Sequence, residues 1–139
     1  MRILTKNQSK NLDKTSINKF NIAESALMDS AAKCIFNYIE NHKNTFKKKP
    51  RILILCGKGN NGGDSICLAN MLKEQDYDVH VHFLLEKNQI SNLSLKYHKK
   101  YIELSGSISY GIKIKKFYDF NFVVDGIIGI GFRETLSQD

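Results

Sequence analysis

The sequence is poor in the residues that define several special classes of protein. Its 139 residues include 1 proline, 9 glycines and 3 cysteines, which excludes a collagen-like or linker-dominated chain and a disulfide scaffold. No stretch approaches the roughly 20 apolar residues of a membrane-spanning helix, and the first residues lack the apolar core of a signal peptide. We therefore expect a cytoplasmic globular domain with a hydrophobic core.

The positive charge is unevenly distributed along the chain. Against 14 Asp and Glu there are 21 Lys and Arg, which leaves a net charge of +7, and residues 1–50 hold 10 of the basic and 4 of the acidic side chains. Lys47, Lys48 and Lys49 are accompanied by neither an arginine cluster nor interleaved aromatic residues, the marks of an RNA-binding surface. The pattern favours a solvated basic linker, and RNA binding ranks last among the functions considered.

Cysteine and histidine give no metal signature. Cys34, Cys56 and Cys67 are far apart and form no C-x-x-C pair, so we expect buried free thiols. His80 and His82 share one face of a predicted strand, but no third ligand is spaced near them. They are predicted to be surface or partly buried residues.

Hydrophobic periodicity predicts strands that alternate with helices. Helices are predicted over residues 22–39, from Asp64 onward and over 91–104, strands over 51–56, 79–83 and 120–125, and an irregular connection with room for a short strand over 106–116. Asn21 and Glu24 resemble a capping box at the start of the first helix. The alternation predicts a parallel α/β sheet covered by helices.

The first glycine-rich loop, predicted over residues 57–63, lies between a buried strand and a helix. Its glycines let the backbone approach a ligand closely, and a helix N-terminus suits an anion. Gly57, Gly59 and Gly62 match G-x-G-x-x-G, so a Rossmann-type NAD-dependent oxidoreductase with Glu86 as its ribose-binding acid is one interpretation.

Polar residues of the same loop are not explained by phosphate binding. Gly63 and Asp64 stand where a P-loop needs Lys and then Ser or Thr, which excludes that motif. The amide oxygens of Asn60 and Asn61 and the Asp64 carboxylate suit a hydroxyl, an amide or a cation. The structural alternative is an asparagine turn followed by a helix cap at Asp64.

A second glycine-rich loop, residues 126–132, follows the last predicted strand. The carboxyl ends of parallel strands meet at one edge of a sheet, so Cys56 and Asp125 should direct both loops toward one crevice. A carboxylate at the end of an apolar strand needs donors or a cation. Asp125 is therefore predicted to bind a ligand, with hydrogen bonding to backbone amides from Gly126 onward as the alternative.

Three segments together resemble one family. Residues 57–65, GKGNNGGDS, resemble the G-x-G-N-N-G-G-D-G signature of the YjeF N-terminal family, the NAD(P)HX epimerases. Residues 26–32 resemble its L-M-E-N-A-G helix, and residues 123–131 its V-D-A-x-x-G-x-G strand and loop. The resemblance implies a single domain over residues 1–139, a Rossmann-like three-layer α/β/α fold with a mainly parallel sheet, incomplete at its C-terminal end.

The same resemblance implies an isomerase of metabolite repair, which interconverts the R and S epimers of hydrated NADH and NADPH and uses a potassium ion. Asn61 and Asp125 are the implied potassium ligands, and oxygen ligands suit this hard cation. No catalytic residue is assigned. The implied substrate-binding residues are Asn60, Asn61, Gly62, Gly63, Asp64, Gly129, Ile130, Gly131, Phe132, Arg133, Glu134 and Thr135.

The chain departs from the family pattern in three places. Lys58 replaces the usual proline and offers a charge for a phosphate, and Ser30 and Ala32 replace Asn and Gly. The family continues to a V-D-x-P-S-G segment, with a proposed acid/base Asp and a further potassium ligand, which the 139 residues do not include. Because we assign Asp64 and Asp125 to binding, we expect weak or no turnover from this chain alone.

Other functions and partners stay open at this stage. A non-catalytic ligand-binding or interaction module on the same fold is an alternative to the epimerase, as is the NAD-dependent oxidoreductase. A small-molecule substrate is expected, without nucleic acid or membrane. A homodimer and a fused or separate dehydratase domain are both compatible with the sequence.

Overall fold

The computed structural model describes residues 4–84, 86, 89–112 and 119–129. The chain forms helices α1 to α4, strands β1 to β4 and a short 3₁₀ helix. In chain order these are α1 (Lys6–Phe20), α2 (Glu24–His42), the 3₁₀ helix (Lys43–Thr45), β1 (Arg51–Cys56), α3 (Asn60–Glu74), β2 (Asp78–Phe83), α4 (Asn92–Glu103), β3 (Ser107–Tyr110) and β4 (Phe122–Gly126). The predicted α/β fold is confirmed.

The four strands form one parallel sheet in the order β3-β2-β1-β4. β1 lies in the interior, where Ile54 pairs with Val81 of β2 and Val124 of β4, and five of its six residues are buried. The chain progresses from β1 to β3 in one direction and then returns to the other side of β1. This reversal places a topological switch point between β1 and β4, where open α/β sheets bind ligands.

Helix α3 is the central helix of the core. It packs against α2, α4 and strands β1, β2 and β4, and Ile66, Leu68 and Leu72 are fully buried. Full burial of one such side chain is worth about 1.5–3 kcal/mol. No helix within the described residues is long and apolar enough to cross a membrane.

The start of α2 differs from the prediction, and α1 was not predicted. The cap of α2 is Ala23, which makes no side-chain hydrogen bond, so the capping box of Asn21 and Glu24 was wrong. Asn21 instead ends α1 in the left-handed conformation (φ 56°), which Asn tolerates. The capping box belongs to α1, where the Thr5 hydroxyl accepts from Gln8 N and the Gln8 amide oxygen accepts from Thr5 N.

Helix α3 begins at Asn60, four residues before the predicted start, so the loop over residues 57–63 is shorter than predicted. Gly62 and Gly63 lie in its first turn, where a Cβ at Gly62 would approach Gly57 O to 2.0 Å. Close packing that only glycine permits therefore outweighs the low helix propensity of glycine. The cap is Gly59, so the predicted alternative of a cap at Asp64 is wrong.

The structure also tests the predictions for the cysteine and histidine residues. Cys56 and Cys67 are buried free thiols, but Cys34 is exposed because it lies on the outer side of α2, so its predicted burial was wrong. His80 is half-buried, as predicted, but His82 is buried, so its predicted exposure was wrong. The ring nitrogens of His82 form hydrogen bonds with Ser109 Oγ and Gly111 O, which makes its burial possible. No cluster of three or more His, Cys, Asp and Glu is present in the described part of the chain.

The predicted basic linker is only partly free of contacts. The ammonium group of Lys49 donates to the carbonyl oxygen of Gln75 and lies 4.7 Å from the centroid of the Tyr77 ring. This interaction ties the connection before β1 to the turn that follows α3. Lys47, Lys48 and Lys49 are all exposed, so the predicted solvated segment is confirmed, and Lys49 makes its contacts at the surface.

Candidate functional site

A crevice of about 1250 Å³ lies at the carboxyl ends of β1 and β4. The loop after β1, the first turns of α3 and the loop after β4 form one side of it, and α1 and α2 form the other. The prediction that the two glycine-rich loops face one crevice is confirmed. The lining residues are Ser9, Lys10, Asp13, Ile17, Glu24, Leu27, Met28, Ala31, Lys58, Gly59, Asn60, Asn61, Asp64, Ile127, Ile128 and Gly129.

The two loops touch through groups that tolerate no extra side chain. Gly57 N donates to Gly126 O at 3.1 Å, and a Cβ at Gly57 would lie 1.9 Å from the carbonyl oxygen of Ile127. Asn61 Nδ2 donates to Ile128 O at 3.3 Å, which leaves the amide oxygen of Asn61 as an acceptor. The glycines thus bring the asparagine motif and the second loop into direct contact.

The first asparagine is fixed by the neighbouring helix. Asn60 Nδ2 donates to Glu24 Oε1 at 3.2 Å, which joins the first turn of α3 to the first turn of α2. Both asparagine amides donate to the protein, so both amide oxygens are available to a hydroxyl, an amide or a cation. The predicted alternative, that the asparagines only form a turn, does not account for these contacts.

The acidic residue of the motif has an unusual environment. Asp64 is half-buried in the crevice, and its carboxylate has no hydrogen bond or ion pair among the described residues. Burial, and then the negative charge of Asp13 in α1, raise the pKa of the Asp64 carboxyl to about 6. A carboxyl with this pKa exchanges protons near neutral pH, which is a property of functional sites.

Asp125 lies at the end of β4 but does not line the crevice. Its side chain is exposed, and its Oδ1 accepts a hydrogen bond from Ile127 N at 2.9 Å. The predicted alternative, an acceptor for backbone amides, is therefore confirmed. Ligand binding by Asp125 stays a prediction, and Oδ2 is the oxygen that remains for it.

The remaining sequence-predicted residues fall into three groups. Gly62 and Gly63 are buried in the first turn of α3, below the crevice, and Gly129 lines it. Glu86 does not line it, so the oxidoreductase interpretation lacks its ribose-binding acid. The residues that lie outside the described part of the chain are Ile130, Gly131, Phe132, Arg133, Glu134 and Thr135.

Sequence reasoning missed the contribution of α1. Ser9, Lys10, Asp13 and Ile17 all line the crevice, although no side chain of α1 is buried. The capping box at Thr5 is the one local signal that could have revealed this helix.

Comparison with known proteins points to one family. An NAD(P)H-hydrate epimerase of Oenococcus oeni is 30% identical to this chain over 98% of the chain and 63% of that protein. A bifunctional NAD(P)H-hydrate repair enzyme Nnr of Dictyoglomus turgidum is 28% identical over 100% of the chain and 27% of its own length. The chain thus spans less than two thirds of each of these curated relatives.

A solved structure shares the fold. The crystal structure of yeast ynu0 superimposes with a TM-score of 0.85 at 16% identity and covers 99% of this chain and 61% of its own. The sequence pattern of the family described as YjeF-related protein N-terminus matches residues 24–139. The chain therefore belongs to the family of YjeF-related protein N-termini.

Proposed function

We propose that this chain is an NAD(P)HX epimerase, which interconverts the R and S epimers of hydrated NADH and NADPH in metabolite repair. The observation that carries the proposal is the crevice at the switch point of the sheet, where the asparagine motif meets the loop after β4. The names of the relatives support the same reaction. A cytoplasmic location is part of the proposal.

The size and lining of the crevice suit a dinucleotide. Its volume of about 1250 Å³ exceeds the range of about 300–1,000 Å³ that is usual for smaller ligands. Lys10 and Lys58 line it and supply positive charge for phosphates, while Asn60, Asn61 and Asp64 offer acceptors for hydroxyl and amide groups. Gly129 and residues 130–135 complete the proposed substrate-binding set.

A potassium ion is the proposed cofactor, held by Asn61 and Asp125. The Asn61 amide is oriented by its hydrogen bond to Ile128 O, so its oxygen is available, and Asp125 uses one oxygen for Ile127 N and keeps the other. Amide and carboxylate oxygens are the donors that a hard cation prefers. The ion would supply positive charge next to the substrate.

Circular dichroism of the NADHX epimers tests the proposal. We expect the chain to bind the hydrate in a potassium-dependent way, with weak or no interconversion of its epimers by this chain alone. Asp125→Ala should abolish the potassium dependence, whereas the exposed control Asp76→Asn should not. Equal affinity for unmodified NAD and its hydrate would contradict the proposal and favour an oxidoreductase.

The regions of the relatives that this chain does not cover suggest a second enzyme as a partner. The Dictyoglomus relative is named as a bifunctional repair enzyme, so we propose that the chain acts beside a dehydratase that consumes its product. Homodimerisation is a further proposal, and analytical ultracentrifugation tests it.

A further inference from the structure

A second cavity, of about 490 Å³, lies among helices α2, α3 and α4. It shares no lining residue with the crevice, and no described residue of either glycine-rich loop contributes to it. Its lining residues on α3 run from Cys67 to Glu74, after the turns that carry the asparagine motif. Helix α3 therefore lines two separate cavities, and the proposed epimerase site uses only one of them.

A buried amide in the wall of this cavity has an oxygen without a partner. Asn70 is only 2% exposed, and its Nδ2 donates to Ile66 O at 3.0 Å and to Tyr97 O at 2.9 Å. These two bonds use both protons of the amide and fix its orientation. Asn70 Oδ1 accepts no hydrogen bond from the described residues. A buried acceptor is normally paired with the protein, a water or a ligand, so the site lacks a donor at this oxygen.

A carboxylate beside this amide is also held in place with one oxygen left over. Asp29 Oδ1 accepts from Cys67 Sγ at 3.1 Å and from the Tyr97 hydroxyl at 2.9 Å. Burial, and then the contact with Asp29, raise the pKa of the Cys67 thiol and of the Tyr97 phenol, so both groups stay protonated and donate. Within the described part of the chain, Asp29 Oδ2 has no hydrogen bond. The cavity thus offers a second acceptor, which carries negative charge.

Positive charge lies at the exposed edge of the same cavity. Lys33 follows Asp29 by one turn of α2, and Lys100 comes from α4 on the other side. Lys100 is paired with Glu74 at 2.6 Å, whereas Lys33 has no ion pair among the described residues. A complementary ligand therefore presents a cationic donor to the two acceptors and an anionic group to the ammonium of Lys33.

We propose that this cavity binds a small zwitterion of the α-amino acid class, with its ammonium group at Asn70 Oδ1 and Asp29 Oδ2 and its carboxylate at Lys33. The cavity volume of about 490 Å³ lies within the range of about 300–1,000 Å³ that is usual for small-ligand pockets. The thioether of Met71 also lines the cavity and supplies an apolar contact for the ligand's side chain. This site does not depend on the epimerase activity.

Calorimetry and ¹H–¹⁵N NMR of the full chain test this inference. The standard L-amino acids are the probes, each added at up to about 10 mM, which nearly saturates a site with a Kd of about 1 mM. We expect at least one of them to bind with a Kd of about 1 mM or lower. The side-chain amide of Asn70 is the direct reporter, because its oxygen gains a donor while its two protons stay on Ile66 O and Tyr97 O.

Two modified forms of the amino acid that binds test the zwitterion. Its N-acetyl form lacks the ammonium group, and its carboxamide form lacks the carboxylate. Each should bind about tenfold or more weakly, because each leaves charged groups of the cavity unpaired. Equal affinity for either form overturns the proposed ligand class.

Exposed residues of the cavity give variants that keep the fold. Asp29→Asn removes the negative charge but keeps an oxygen for the thiol and phenol donors, and Lys33→Gln removes the ammonium group. The matched controls are Asp76→Asn and Lys99→Gln, which change exposed residues outside the cavity. A thermal melt confirms that each variant folds.

We expect Asp29→Asn and Lys33→Gln each to raise the Kd about tenfold or more, and the two controls to leave it unchanged. Three outcomes overturn the inference. One is that no standard amino acid shifts the Asn70 amide at the highest concentration. The second is that the Kd is the same in wild type and in both cavity variants. The third is that the controls weaken binding as much as the cavity variants do.

Discussion

Replacement of Asp64 by Asn should stabilise the fold at neutral pH and leave its stability near pH 4 almost unchanged. The folded-state pKa of about 6 lies above the ordinary value of about 4 in an unfolded chain. As the pH rises from 4 to 6, the unfolded chain therefore loses this proton first, and the free energy of unfolding falls. Above pH 6 the Asp64 carboxyl is ionised in the folded chain, and the loss of unfolding free energy is complete. An asparagine at this position does not ionise and therefore causes no such loss.

The folded-state and unfolded-state pKa values of Asp64 set the size of the change in the free energy of unfolding. A difference of about 2 pKa units corresponds to about 3 kcal/mol, at about 1.4 kcal/mol per unit. Because Asp64 is only half-buried, screening by water reduces the expected gain to about 1–2 kcal/mol. Asp13→Asn removes the negative charge that is the second cause of the raised Asp64 pKa. This variant should therefore also raise the free energy of unfolding at neutral pH, by a smaller amount.

Urea denaturation at pH 4.0 and at about pH 7.5 measures this difference. The control is Asp76→Asn, at an exposed left-handed position (φ 57°) that Asn adopts readily. An equal change in unfolding free energy at both pH values, or a loss at pH 7.5, would refute the reasoning. A gain confined to the higher pH would mean that the carboxyl is retained at a cost in stability, as is common for functional groups.

Three further predictions concern packing. Gly62→Ala should destabilise the chain by several kcal/mol in urea denaturation, because the new Cβ would lie 2.0 Å from a backbone carbonyl oxygen. The control is Gly59→Ala, whose Cβ would have no atom within 4 Å, and it should change stability by less than about 1 kcal/mol. Tyr101→Phe removes a buried 2.8 Å hydrogen bond to Val79 O and should cost about 0.5–1.5 kcal/mol by thermal melting; an unchanged melting temperature would contradict this. Ile54→Ala, at a fully buried position of β1, should cost about 2–5 kcal/mol, and a smaller loss would mean that the core collapses around the cavity.

Much of the α/β unit was predictable because its signals are local. The apolar run of β1 between a proline and a glycine predicts a buried strand, and this strand has the predicted bounds. The spacing over residues 91–104 predicts α4, which occupies residues 92–103. The common crevice of the two loops followed from the rule that parallel strands align their carboxyl ends.

The first turn of α3 could not be predicted from local pattern. Two consecutive glycines oppose a helix by intrinsic propensity, yet Gly62 and Gly63 are helical. Their missing Cβ atoms allow contact with Gly57 and Met28, residues of the loop before α3 and of α2. A tertiary contact thus decided a local conformation.

By itself, the sequence determined the alternation of strands and helices from α2 onward apart from β3, the glycine–asparagine motif and the edge of the sheet at which the two glycine-rich loops meet. Only the tertiary structure revealed that α1 closes the crevice and that Asp13 and Asp64 line it together. Helix α1 buries no residue, so its sequence lacks the regular apolar stripe by which periodicity predicts a helix. The pKa of a carboxyl depends on burial and on charges brought close by folding, and neither is encoded in the neighbouring residues.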